Sequence, residues 1–243
     1  MTNKVFIGWD PREDVAWNVA AASISKYSDV AIHKLVKADI PEYTRTDAFA
    51  SSEFTLTRFF VPYLSGFEGY SIFIDCDILC TTDILKILDE VDPNNMVSCV
   101  QHKDYIPKTS YKMDHKKQFT YPRKNWSSVM VFNNAKCEVL LPELLNNSTP
   151  KYLHRMMWAP DDLIGKVSHT WNYLAGYYSD IDKPNIIHYT DGGPWFEDYV
   201  DCDFAKEWIE FYEKNDISGS TWSTEELEAV QALHPIRGRV CQS

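Results

Sequence analysis

Unbroken apolar runs alternate with amphipathic stretches along most of the chain. Residues 72–74 (Ile-Phe-Ile) form such a run, which is typical of a strand buried on both faces of a parallel sheet. Residues 5–8 form a second run, and a turn and a helical stretch follow it as a first β-turn-α unit. This alternation predicts an α/β fold with a mostly parallel central sheet flanked by helices. Further strands are predicted over 31–36, 96–101, 128–132 and 185–189, and helices over 53–64, 84–88, 137–145, 204–214 and 224–233.

The length of 243 residues suffices for one large α/β domain, and no linker-like stretch divides the chain. We predict a single domain over residues 1–243 that ends in a helical extension over about 203–243. No apolar run is long enough to span a membrane, and the amino terminus leads into the first strand without a signal-peptide core. The six cysteines show no paired zinc spacing and suit a reducing compartment, so we predict a cytoplasmic protein.

The formal net charge of −11 argues against a nucleic-acid-binding protein, because phosphate binding requires a basic surface. One segment, residues 103–124, is positively charged instead. It contains seven lysines and arginines interleaved with tyrosines and a phenylalanine. Two interpretations stay open for it, namely a solvated loop and a flap that binds an acceptor molecule.

Two carboxylates follow residues 72–74 directly. Asp75 and Asp77 lie two positions apart, so in strand geometry their side chains leave the same face and reach one hard cation, while Cys76 points back into the protein. The carboxyl edge of a parallel strand is where open α/β sheets bind ligands. An isolated Asp-x-Asp is often a solvated turn or a helix cap, but here a buried strand precedes it and a helix start at Asp83 follows it. The pattern favours metal-assisted nucleotide chemistry.

The first strand and the segment before the Asp-x-Asp offer further ligand-binding residues. Gly8 would let a ligand approach the backbone, Trp9 would stack on a base and Asp10 would accept from a base or ribose. The alternative is that Trp9 is a packing residue and Asp10 a helix cap. Arg58 lies among aromatic residues, where it either pairs with a buried carboxylate or faces an anionic ligand such as a diphosphate.

The motifs, in their order along the chain, resemble glycosyltransferase family 8 and its GT-A relatives over residues 5–196. No Gly-x-Gly-x-x-Gly or P-loop motif competes with this resemblance. The motifs that carry it are the first strand and turn, Thr57-Arg58-x-x-x-Pro62, Asp75-Cys76-Asp77, Ser127-Ser128-Val129-Met130-Val131-Phe132-Asn133, Asp161-Asp162, Trp171-Asn172 and His188-Tyr189-Thr190-x-Gly192-Gly193-Pro194-Trp195.

The resemblance implies a GT-A fold with a Rossmann-like nucleotide-binding half, a nucleotide-sugar donor, taken here as a UDP-sugar, and a carbohydrate or other hydroxyl acceptor. It also implies a divalent cation, usually Mn²⁺ with Mg²⁺ as the alternative, held by Asp75, Asp77 and His188. These side chains are chemically suitable, because Mn²⁺ accepts both carboxylate oxygen and imidazole nitrogen. By the same resemblance Asp161 and Asp162 border the reacting sugar as catalytic residues, although an Asp at a helix start is also a common cap.

The chain departs from the family pattern at two points. The family's lysine in the His-Phe-x-Gly-x-x-Lys-Pro-Trp motif is missing, so the amides of Gly192 and Gly193, or Arg12 or Arg58, would have to bind the diphosphate. The family's Asn-Ala-Gly is replaced by residues 126–128 (Trp-Ser-Ser). The expected donor-binding residues are Gly8, Trp9, Asp10, Arg12, Arg58, Asp75, Cys76, Gly192 and Gly193.

Two other functions compete with a metal-dependent glycosyltransferase. A nucleotidyltransferase would use a similar Asp-x-Asp, but the Gly-rich, Arg- or Lys-bearing loop expected after its first strand is missing. A catalytically inactive GT-A domain that binds a glycan or a protein partner is the second alternative, and the intact Asp75, Asp77 and His188 speak against it.

Overall fold

The computed structural model describes residues 3–46, 52–103, 122–215 and 217, together with the backbone of 111–112 and 116–117. The predicted helix over 224–233 and most of the basic segment lie outside these residues. The strands are β1 (Lys4–Gly8), β2 (Ala31–Leu35), β3 (Tyr70–Ile74), β4 (Ile78–Cys80), β5 (Val97–Cys99), β6 (Tyr111–Lys112), β7 (Lys116–Lys117), β8 (Val129–Asn133), β9 (Ile164–Lys166), β10 (Tyr173–Leu174) and β11 (Ile186–His188). The α-helices are α1 (Asp14–Tyr27), α2 (Val61–Leu64), α3 (Pro142–Asn147), α4 (Pro150–His154) and α5 (Ala205–Lys214).

The main sheet has six strands in the order β2-β1-β3-β8-β5-β9. Strand β1 is parallel to β2 and β3, and β5 is parallel to β9. Only β8 is antiparallel to its neighbours β3 and β5, so five of the six strands run in one direction. The predicted α/β fold with a mostly parallel sheet is therefore confirmed.

Strand β3 lies at the centre of the core, as its apolar run predicts. Ile72, Phe73 and Ile74 are fully buried, and burial of each such side chain stabilises the fold by about 1.5–3 kcal/mol. Helix α1 packs Ala20 and Ile24 into this same core.

A second sheet has three strands in the order β10-β11-β4. Its strand β4 follows β3 of the main sheet directly along the chain. Strand β4 pairs antiparallel with β11, and β10 pairs parallel with β11. Helix α5 adds Trp208 to a second apolar cluster with Tyr189 and Trp195, and Val19 of α1 joins that cluster. Residues 75–77 are thus the link that leads from the end of β3 in one sheet to β4 in the other.

Several predicted helices differ in extent or type. The helix over 53–64 is reduced to a 3-10 turn (Thr57–Phe60) and α2. Before Thr57 the chain forms turns, in which Ser52 and Thr55 hydrogen-bond to each other. The helix over 137–145 begins only at Pro142, since the residue before a proline avoids the helical region and Leu141 is extended.

The remaining helix predictions have mixed outcomes. The helix predicted after Asp83 is a 3-10 helix (Ile84–Glu90), and its predicted cap is confirmed, because the Asp83 carboxylate accepts from the backbone N–H of Leu85. Helix α5 agrees with its prediction over 204–214, whereas α4 was not predicted. Within the part of the chain that the structure describes, no helix combines the length and the apolar character needed to cross a membrane.

Candidate metal and donor site

The second sheet places a histidine beside the two aspartates that end β3. In the antiparallel pairing of β11 with β4, His188 is the partner of Ile78, the residue after Asp77. The backbone N–H of Tyr189 donates to the carbonyl of Asp77 over 2.9 Å. Strand pairing, and not sequence proximity, therefore brings His188 to the Asp-x-Asp.

Asp75, Asp77 and His188 form a cluster in which one potential ligand atom from each lies within 4.8 Å of the others. Nε2 of His188 is 3.3 Å from Oδ1 of Asp77, and both side chains are largely buried, with 2% and 9% exposed. Two carboxylates and one imidazole fit a divalent cation, and the nitrogen ligand suits Mn²⁺ better than Mg²⁺. The structure therefore brings together the three residues that the sequence predicts as ligands.

Arg58 contacts Asp75 directly. Its Nη1 lies 2.8 Å from Oδ1 of Asp75 and donates to the carbonyl of Ser127 over 2.9 Å. The guanidinium lies over the rings of Phe54 and Phe73, 5.3 Å and 4.9 Å from their centroids. Of the two predicted roles, the structure shows the pairing with a buried carboxylate.

Asp10 is a buried cap and the partner of Arg12. Its carboxylate accepts from the backbone N–H of Arg12 (3.0 Å), from Nε (2.9 Å) and Nη2 (2.7 Å) of the same arginine, and from the N–H of Glu53 (3.1 Å). Burial alone would raise the pKa of Asp10, but these hydrogen bonds outweigh it and leave the pKa below its usual value. The carboxylate is thus used within the protein.

Gly8 and Trp9 are also held by packing. A Cβ atom on Gly8 would collide with the Phe54 ring, so the protein itself occupies the space that we expected a ligand to approach. The Trp9 indole N–H donates to Asp14 over 2.7 Å, and Nζ of Lys34 lies 4.7 Å from the ring centroid. One ring face is therefore covered by Lys34, and only the opposite face is suited to stack on a base.

Cys76 does not present its side chain to a ligand. The thiol is fully buried, and its pKa is raised well above the usual value by burial and by the carboxylates of Glu13, Asp77, Asp75 and Asp10. The predicted inward orientation of Cys76 agrees with this burial, so a donor would contact only its backbone.

The glycine pair near the second sheet is fixed by aromatic packing. Gly192 has a φ of 141° and donates its N–H to the carbonyl of Tyr189 over 2.9 Å, so this amide is already used within its turn. A Cβ atom on Gly192 would lie 2.7 Å from the Tyr199 ring, and one on Gly193 would collide with the Trp195 ring. Close packing accounts for both glycines.

Asp161 and Asp162 lie apart from the metal cluster. They directly precede β9 and are not among the residues of the Asp75, Asp77 and His188 cluster. The Asp161 side chain is 82% exposed and forms an ion pair with Arg123 over 2.7 Å. Neither carboxylate caps the 3-10 turn, whose N-cap is Pro160 without a side-chain hydrogen bond.

Sequence reasoning missed two buried groups close to the site. Oδ1 of Asn172, which is fully buried, lies 2.7 Å from Nδ1 of His188, and the only signal for it was its place in a motif of the resemblance. Nδ1 of His102 lies 2.7 Å from the Tyr178 hydroxyl, and burial, with the charges of His188 and His169, lowers the pKa of His102 to about 3. A single histidine after a strand gave no sequence signal for such a role.

The chain is 39% identical to Protein CDI of Arabidopsis thaliana over 219 residues, covering 85% of this chain and 84% of that protein. No protein-family model matches. Among solved structures, it resembles the WbbM bifunctional glycosyltransferase in its apo form (18% identity, TM-score 0.63, 93% of this chain) and the galactosyltransferase LgtC in complex with donor and acceptor sugar analogues (11% identity, TM-score 0.53, 93% of this chain).

The similarity to these structures concerns the fold. The chain spans about half of the WbbM chain, 51%, and nearly all of the LgtC chain, 99%. At such low identities the shared feature is the architecture, so the chain has the GT-A type of α/β fold.

Proposed function

The chain belongs to the family of Protein CDI of Arabidopsis thaliana, and we propose that it is a metal-dependent glycosyltransferase of the GT-A type, from a branch related to glycosyltransferase family 8. The donor would be a nucleotide sugar, with UDP-sugars as our first choice, and the acceptor a hydroxyl group of a glycan or another molecule. One observation carries the proposal, namely the cluster of Asp75, Asp77 and His188 at the carboxyl edge of β3.

The cluster has the composition of a divalent-cation site, and a cation held there could bind a diphosphate. Asp75, Asp77 and His188 would hold a divalent cation, Mn²⁺ by preference because one ligand is an imidazole. When bound, the cation supplies positive charge that stabilises a leaving nucleoside diphosphate. Its site lies where open α/β sheets bind nucleotides, at the carboxyl ends of the parallel strands.

The surrounding residues would hold and orient the donor. Arg58 fixes the Asp75 carboxylate from inside the protein, and its positive charge faces the same region. The Trp9 face opposite Lys34 would stack on the base, next to Asp10 and Arg12 at the carboxyl end of β1. Asp161 and Asp162 are our proposal for the residues that border the sugar.

The test is donor hydrolysis measured over a panel of UDP-, GDP- and dTDP-sugars, with Mn²⁺ and with a chelator. We expect nucleoside diphosphate release that requires the metal. Asp77→Asn should lower the rate about 100-fold or more without unfolding the protein, because it removes a ligand charge at constant volume.

The matched control is Asp83→Asn, which removes the same charge nearby. Asp83 caps the 3-10 helix by accepting from Leu85, and asparagine caps nearly as well as aspartate, so the control should keep the wild-type rate. Equal hydrolysis with the chelator, or equal rates for Asp77→Asn and the wild type, would refute the metal assignment. Absence of binding to any of the nucleotide sugars would instead favour an inactive GT-A domain.

A further inference from the structure

Two of the three candidate ligands, Asp75 and His188, are connected to one short segment, residues 125–128. The backbone N–H of Asp75 donates to the carbonyl of Ser128 over 2.9 Å. Arg58, the partner of Asp75, donates to the carbonyl of Ser127. His188 is connected to the same segment through Asn172, whose amide lies between the imidazole and Ser128.

The direction of the hydrogen bonds around Asn172 follows from a backbone carbonyl. The carbonyl of Asn125 can only accept, and the Ser128 hydroxyl donates its proton to it over 2.7 Å. The side-chain amide of Asn172 lies 3.1 Å from the same carbonyl and 2.9 Å from the Ser128 hydroxyl oxygen. Because both of these atoms accept, the NH₂ group of Asn172 must face them.

The carbonyl oxygen of the Asn172 side chain therefore faces His188. It lies 2.7 Å from Nδ1, and since an amide oxygen cannot donate, Nδ1 must carry the proton. In the neutral imidazole this leaves the lone pair on Nε2, which is the nitrogen 3.3 Å from Asp77. Ser128, Asn172 and His188 are all buried, so water does not compete for these groups.

We propose that Asn172, oriented by Ser128, is a positioning residue that fixes the His188 tautomer and ring so that Nε2 is a ready metal ligand. The proposal rests on the proposed function only for the presence of a metal site. Partners of a ligating histidine contribute by holding its orientation and raising its basicity, and their loss weakens metal affinity about 10- to 100-fold.

The test is Mn²⁺ affinity, measured from the electron paramagnetic resonance signal of the free ion and without any donor. Asn172→Ala should bind Mn²⁺ about 10- to 100-fold more weakly than the wild type. Asn172→Asp keeps an acceptor for Nδ1 but turns its second oxygen towards the Asn125 carbonyl, which can only accept. It should therefore bind Mn²⁺ more tightly than Asn172→Ala and be less stable than the wild type. Circular dichroism and thermal unfolding check that each variant is folded.

The chain offers a matched control in Asn134, a second fully buried asparagine whose amide donates to Glu68 and Ser71. Asn134→Ala should lose stability and keep its Mn²⁺ affinity. If Asn172→Ala does not fold, Ser128→Ala tests the same connection, with a smaller loss of affinity expected because the Asn125 carbonyl still orients the amide.

The outcomes separate this inference from the proposed function. Wild-type Mn²⁺ affinity in folded Asn172→Ala, or in Ser128→Ala where the former does not fold, overturns the inference alone. Mn²⁺ binding that depends on Asn172 in a protein that cleaves no nucleotide sugar supports the inference and overturns the proposed function. Absence of Mn²⁺ binding to the wild type overturns both.

Discussion

A buried neutral histidine should make the stability of this protein depend on pH near neutrality. His102 lies three residues beyond the carboxyl end of β5 and is 8% exposed. Its ring stacks on Tyr178 with the centroids 5.9 Å apart, and Nδ1 meets the Tyr178 hydroxyl. Burial, together with the nearby charges of His188 and His169, lowers the pKa to about 3, whereas an unfolded chain has a histidine pKa of about 6.5.

The sign follows from which state binds the proton. The unfolded chain takes up a proton at His102 as the pH falls below about 6.5, while the folded protein does not until about pH 3. The stabilising contribution is thus fully present above pH 6.5 and is lost as the pH falls from 6.5 towards 3. At about 1.4 kcal/mol per pH unit, His102 alone should lower the free energy of unfolding by about 2 kcal/mol between pH 7 and pH 5.

The assay is urea unfolding followed by tryptophan fluorescence at pH 7 and pH 5, for the wild type and His102→Gln. Glutamine keeps a polar partner for Tyr178 but does not titrate, so the stability lost between the two pH values should be about 2 kcal/mol smaller in the variant. His33→Gln serves as the control variant. Burial and the charge of Lys4 also lower the pKa of His33, but the His33 side chain is more exposed than that of His102. An identical pH dependence in His102→Gln and the wild type would show that His102 is not held neutral by the fold.

Two further variants test residues around the site. Arg58→Ala should destabilise the protein by about 3 kcal/mol in urea unfolding, because it removes the charged partner of the largely buried Asp75. Equal losses of affinity for uridine, UMP and UDP would mark the arginine as structural, and a loss confined to UDP would mark it as a diphosphate ligand. Asp161→Asn should change stability by less than about 1 kcal/mol, since its pair with Arg123 is exposed. If Asp161 borders the sugar, kcat for transfer should fall with UDP affinity unchanged, whereas an unchanged kcat would leave it a surface partner of Arg123.

The parts of the fold that the sequence predicts are those with a local signal. The run of residues 72–74 identified the buried strand β3, and the amphipathic pattern identified α5. Strands β4 and β10, with three and two residues, are too short for a periodic pattern. The reversed direction of β8 depends on its neighbours in the sheet, so no pattern within the strand itself reveals it.

The candidate site was predictable where residue type determines chemistry, and not where a remote partner does. Asp75, Asp77 and His188 are identified by their ligand atoms, and the structure gathers them. Asp10 had two interpretations, and Gly8 was expected to let a ligand approach. The partners that decide both positions, Glu53 and the Phe54 ring, come from a distant part of the chain. The single-sequence pattern carries no information on such long-range contacts.

Residues 126–128 differ from the Asn-Ala-Gly of glycosyltransferase family 8, which the sequence resembles, and the contacts of Ser128 give this difference a physical meaning. Ser128 takes the place of the glycine and uses two of its groups in the site, since its carbonyl accepts from the backbone of Asp75 and its hydroxyl accepts from Asn172. A glycine there would keep the first contact and lose the second. The Asn172 amide would then be oriented by the Asn125 carbonyl alone. Ser128 and Asn172 therefore act as a pair that holds His188 more firmly than Asn172 would with a glycine at position 128.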